Sequence, residues 1–72
     1  MDEMKKKARK VLEDRFTDWC DAFKLDDEKL ITVNQAHFCG LVDLYEELFD
    51  EFVYYNVDDM RLRYENRDGE EV

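Results

Sequence analysis

No proline interrupts this chain, and glycine occurs only at Gly40 and Gly69. Proline removes a backbone donor and clashes with the preceding turn, and glycine opens backbone regions closed to other residues, so these two types punctuate a sequence most strongly. A chain of 72 residues with so little punctuation is expected to form long helices rather than a turn-rich β fold. It is also one domain at most. A chain this short buries only about 60% of the surface its unfolded form exposes, so its small core calls for tight packing, a cross-link or a partner.

The apolar residues repeat with helical spacing. Met4, Ala8, Val11, Leu12, Phe16, Trp19, Cys20 and Phe23 form one stripe over roughly Asp2 to Lys24, which reads as a first helix. Leu25 to Lys29 is a polar connection. Leu30 to Val33 is β-branched in character and compatible with a few residues of strand. The preferred reading instead makes Thr32 the N-cap of a second helix, with Gln35 completing a capping box. That helix is expected from about Val33 to Tyr55. On it, His37, Leu41, Leu44, Leu48, Phe52 and Tyr55 fall on one line, and Phe38, Val42, Tyr45, Phe49 and Val53 on the next. Together the lines cover roughly half the helix circumference, more than one neighbouring helix covers. The surplus calls for the C-terminal residues, a second copy of the chain, or a docked protein.

A short connection between two long helices implies an antiparallel hairpin. With the bend near Asp27 to Lys29, Trp19 and Cys20 come level with Phe38 and Cys39, and Gly40 is expected to let the helices approach closely there. Beyond the second helix, Val57-Asp58-Asp59 has the form of a cap for a short third helix holding Met60, Leu62 and Tyr64. The same residues alternate as a strand would, but the only mate then apparent is Leu30 to Val33, and an isolated strand pair is marginal. The expected fold is therefore mainly α: an antiparallel hairpin of two long helices plus a short C-terminal helix or extended arm. Residues 1–65 form the single helical domain, and 66–72 a flexible tail.

Charge narrows the partners. The formal net charge is −9, which disfavours direct binding to nucleic acid or to an anionic membrane and suits a basic partner. No apolar run has the length of a membrane span, and the charged start does not read as a signal peptide. The expected location is the cytoplasm, with both thiols reduced.

The usual chemistries find little to build on. His37 stands alone, and Cys39, two residues on, points to another side of a helix. Two separated cysteines and one histidine give at most three zinc ligands. Asn66 to Glu71 has the flavour of a calcium loop, but the chain ends before the bidentate glutamate such a loop needs. No catalytic site, metal or cofactor is expected.

The acids are the remaining feature. Residues 43–59 carry seven acids and no base, and residues 11–28 carry seven acids against Arg15 and Lys24. Helical rows of carboxylates step by about 5–6 Å, a scale similar to the phosphate repeat of a nucleic-acid strand. A rigid acidic helix could therefore occupy a basic nucleic-acid channel by mimicry; the plainer reading is a solvated face that maintains solubility. The expected partner-binding set is Asp43, Glu46, Glu47, Asp50 and Glu51, with Asp58 and Asp59, and with Tyr54, Tyr55 and Tyr64 as aromatic anchors. The basic block from Lys5 to Lys10 is expected to meet Asp14 or acids of another chain.

In size and charge the chain resembles small phage-encoded proteins that disarm host nucleases, CRISPR effectors or polymerases, although no motif carries a resemblance to any one family. The resemblance implies an inhibitor or regulator that docks on a larger, nucleic-acid-binding protein with a basic surface. The competing expectation is a self-associating helical module, a homodimer, in which the acids only provide solubility.

Overall fold

A computed structural model describes residues 3–72. Two helices, α1 (Glu3–Leu25) and α2 (Glu28–Phe49), pack against each other and are followed by two strands, β1 (Phe52–Asn56) and β2 (Arg61–Glu65). The expected first residue of the first helix, Asp2, lies outside the described residues.

The turn between the helices is shorter than the polar run suggests. Asp26 takes a left-handed conformation (φ 53°), which aspartate tolerates better than most residues. Asp27 is extended and caps α2: its carboxylate accepts hydrogen bonds from the Lys29 N–H at 3.1 Å and the Leu30 N–H at 3.3 Å. The cap is therefore Asp27 rather than Thr32, and Leu30 to Val33 is helix rather than strand or lead-in. The β-branched run costs only a few tenths of a kcal/mol per residue in helix propensity. The cap is worth about 1 kcal/mol, and Ile31 packs against the core.

The core is aromatic and lies between α1, α2 and the strands. It holds Leu12, Phe16, Trp19 and Cys20 from α1, Phe38, Val42 and Tyr45 from α2, and Val53 and Tyr64 from the strands. Phe38 is 0% exposed. Its ring centroid lies 5.3 Å from that of Phe16, 5.7 Å from Trp19 and 5.1 Å from Tyr55. The expected levelling of Trp19 with Phe38 is thus present. The expected close approach at Gly40 is not: a Cβ added there meets nothing within 4 Å, and the residue is exposed. With no contact to preserve, Gly40 only raises the entropy cost of helix formation. Gly40→Ala is expected to stabilise the protein by about 0.5–1 kcal/mol, read as a higher urea midpoint; a lower midpoint would reveal a packing role for the bare backbone.

The second helix ends six residues before Tyr55, and the C-terminal element is a β-hairpin, not a short helix. Asp50 adopts φ 60°, ψ 38° and donates its N–H to the Glu46 carbonyl, closing α2. Such a left-handed cap is a common helix stop. Phe52-Val53-Tyr54-Tyr55 then follows strand propensity and pairs antiparallel with β2, Val53 opposite Tyr64 and Tyr55 opposite Leu62. The mate is therefore the segment expected to be helical, not Leu30 to Val33. Two strands alone are marginal, but a face packed on helices supplies the missing burial. Val53, Tyr55, Leu62 and Tyr64 provide that face.

Asn56 and Met60 shape the hairpin turn, through a bond from the Asp59 N–H to the Asn56 Oδ1 and a positive φ at Met60. Residues 66–72, expected as a flexible tail, turn back along β2. The Asn66 side chain accepts from the Asp68 and Glu70 N–H groups, and the Val72 N–H donates to the Tyr64 carbonyl at 2.9 Å. This return blunts the outer edge of β2.

Candidate docking surface

Antiparallel packing brings the basic start of α1 beside the acidic end of α2. The first consequence concerns Glu51. It is 6% exposed and receives Lys5 on Oε2, with Arg9 Nη2 on Oε1 at 2.8 Å. The Tyr45 hydroxyl donates to the same Oε1 at 2.8 Å and accepts from Arg9 Nε at 2.8 Å. Burial by itself would raise the Glu51 carboxyl; the hydrogen bonds from Lys5, Arg9 and Tyr45 outweigh it and hold the group below the usual carboxylate value. Burial also pushes the Tyr45 hydroxyl up to about 12. Glu51 is therefore an internal anchor joining β1's entry to α1, not a surface acid. Lys5 and Arg9, expected to meet Asp14 or another chain, find it instead.

The other acids divide. Asp43 and Glu47 are exposed on α2, and neither has an ion-pair partner among the described residues. Glu46 is half-buried and accepts the Val53 N–H at 2.9 Å, tying β1 to α2. Asp50 is exposed but holds the Arg67 guanidinium, with Nε at 2.6 Å from Oδ1. These four, with Glu51, Phe52 and Arg67, line one shallow concavity of about 750 Å³. The end of α2 adds its own negative partial charge, and its last turn contains no base. Asp58 and Asp59 sit in the hairpin turn, outside this concavity.

The tyrosines also part company. Tyr64 is buried, with its ring beneath the Arg9 guanidinium at 4.2 Å and against Tyr45 at 5.4 Å. Burial raises its hydroxyl, which has no hydrogen-bond partner among the described residues. Tyr55 lays its ring on Phe38, Phe16 and Trp19 while remaining partly exposed. Burial pushes its hydroxyl up, and Cys39, Asp43 and Glu46 push it the same way. Tyr54 faces outward beside Arg63, 5.1 Å from its ring centroid. The aromatic that borders the acids is Phe52, 47% exposed, which the sequence places on the inner line of a continued helix.

The acidic patch that the fold assembles thus consists of Asp43, Glu46, Glu47 and Asp50, bordered by Phe52. Glu51 and Tyr64 belong to the interior. No local signal marks Glu51 for burial, because its partners Lys5 and Arg9 lie 46 and 42 residues away in sequence. Both cysteines are free, Cys20 buried and Cys39 half-buried. Among the described residues no helix is long and apolar enough to cross a membrane. Compared with family models, curated proteins and solved structures, the chain matches none of them.

Proposed function

We propose that this protein is a non-catalytic inhibitor or regulator. It docks the acidic end of α2 on the basic, nucleic-acid-binding surface of a larger protein and excludes the nucleic acid from that surface. The observation that carries the reading is the concavity of Asp43, Glu46, Glu47 and Asp50 beside the half-exposed Phe52. Acids there steer a cationic surface inward and set orientation. A neighbouring aromatic supplies the desolvated contact that a charge pair alone lacks. The bond from Arg67 to Asp50 illustrates the chemistry: a guanidinium already sits on this surface. A partner arginine would make contacts of the same charge-assisted kind.

The test uses Asp43→Lys and Glu47→Lys, because both side chains are exposed and neither supports the fold. Asp50 is unsuitable, since its reversal would also disturb a left-handed helix cap. Host lysate is passed over the immobilised protein at low and high salt, and captured proteins are identified by mass spectrometry. A nucleic-acid-binding protein retained at low salt is expected to lose roughly tenfold in affinity for each reversal and to be released by added salt. Retention indifferent to both reversals and to salt overturns the acidic-surface reading.

A further inference from the structure

The β-hairpin covers only one side of the helix pair. Phe16, Trp19, Phe38 and Tyr45 lie under it, but the opposite side is uncovered. There Ala8 and Val11 of α1 and Leu41, Leu44 and Leu48 of α2 line an apolar groove of about 160 Å³, with Phe49 at its end. Val11 is 44% exposed, Leu44 52% and Leu48 66%. Leu30 and Val33, also exposed, lie on the same side of α2, with the exposed His37 between them and Leu41. This is the surplus line that one neighbouring helix does not cover. Leucines exposed in a contiguous row mark a contact surface rather than the scattered apolar residues of an ordinary exterior.

The charges beside the groove identify the occupant. On α1, Lys7 stands one helical turn before Val11 and has no ion-pair partner among the described residues. On α2, Glu47 follows Leu44 by three residues, on the adjoining part of the helix surface, and is likewise unpaired. The start of α1 and the end of α2 sit at the same end of the molecule, as the Lys5 and Arg9 bonds to Glu51 require. One apolar strip thus runs between a basic helix and an acidic helix. A two-fold rotation about an axis parallel to the helices exchanges left with right without exchanging the ends. It lays the basic helix of one copy over the acidic helix of the other, twice over, with the apolar strips face to face. Each helix then runs antiparallel to the one it meets, as in an up-and-down four-helix bundle. The same patch serves both copies, as a two-fold interface requires.

We infer that the open face of α1 and α2 binds a second copy of this chain, forming a two-fold dimer with a four-helix core flanked on both outer sides by β-hairpins. The inference goes beyond the acidic-surface reading: the dimer is read on the purified chain alone, and Asp43→Lys, at a residue that does not line the groove, tests the acidic surface without touching it, so either can fail without the other.

Sedimentation equilibrium of the full chain at micromolar concentration and low salt is expected to give the mass of a dimer. Leu44→Gln with Leu48→Gln is expected to give a monomer with an unchanged far-UV spectrum, because both side chains are more than half exposed and glutamine is a good helix former. Lys7→Glu alone and Glu47→Lys alone are each expected to weaken dimerisation about tenfold, since each contact occurs twice per dimer. Combined in one chain, the two reversals are expected to restore it. A monomer at every concentration, a dimer indifferent to the leucine replacements, or a charge swap that does not restore association overturns the inference.

Discussion

Phe38→Ala is expected to remove most of the stability of this protein. The side chain is fully buried and touches aromatic rings from α1 and from β1, at centroid distances of 5.1 to 5.7 Å. Truncating a buried phenylalanine costs about 3–5 kcal/mol, from lost transfer energy and from the cavity left behind. A domain of this size has about 4–10 kcal/mol in all, at roughly 0.05–0.15 kcal/mol per residue. The melting temperature is therefore expected to fall by about 15–30 °C, measured by circular dichroism. Phe52→Ala is the control, because a half-exposed ring off the core should cost less than about 1 kcal/mol. Equal effects of the two substitutions would mean that Phe38 is not the centre of the packing.

Glu51→Gln is the second large effect, and it carries a pH signature. The substitution keeps the shape but removes the charge that Lys5 and Arg9 share, leaving Arg9 largely buried without its counter-ion. Removing one partner of a fully buried pair costs about 3–5 kcal/mol. Here Lys5 is partly exposed to solvent, which lowers the expectation to about 2–4 kcal/mol. The direction with pH follows from the lowered carboxyl. In the folded state Glu51 titrates below its ordinary value of 4.5. Its contribution is thus fully present above that ordinary value and is lost as pH falls through the folded-state value. Urea unfolding of wild type and variant should differ most at neutral pH and converge in acid. Parallel pH profiles for the two proteins would show that the Glu51 charge does not anchor β1 to α1.

Both effects arise where distant segments meet, and that separates what local pattern reveals from what it conceals. The line Phe38, Val42, Tyr45 and Phe49 is visible in sequence as a helical stripe, and it is the stripe the core uses. The adjoining line through Leu41, Leu44 and Leu48 is equally visible, and it is the face left open. Periodicity gives both lines the same weight, because it records spacing and not which neighbour arrives. The acid row is legible in the same way at Asp43 and Glu47, which stay exposed on the helix. Glu51 and Tyr64 have the same residue chemistry as their exposed counterparts, and only contacts across the fold distinguish them.

The extent of the second helix shows the same division. Asp27 carries a helix-capping residue in plain view, yet Thr32 offers a capping pattern too. The choice depends on whether Ile31 gains burial by being helical, which requires α1 alongside it. At the other end the apolar spacing continues past Phe49 without a break, so periodicity alone extends the helix to Tyr55. The chain stops it at Asp50 because leaving the helix places Glu51 under Lys5 and Arg9 and lays Val53 and Tyr55 on the aromatic core.

Sequence by itself determined that this is a two-helix protein with a short connection, an aromatic inner stripe and an acidic second helix. Each of those properties resides in residues within a few turns of one another. The tertiary structure alone decided where the second helix stops, that the chain then returns as a β-hairpin, and which acids and tyrosines reach solvent. Those outcomes rest on ion pairs and ring contacts between residues some forty positions apart, whose energies no local spacing encodes.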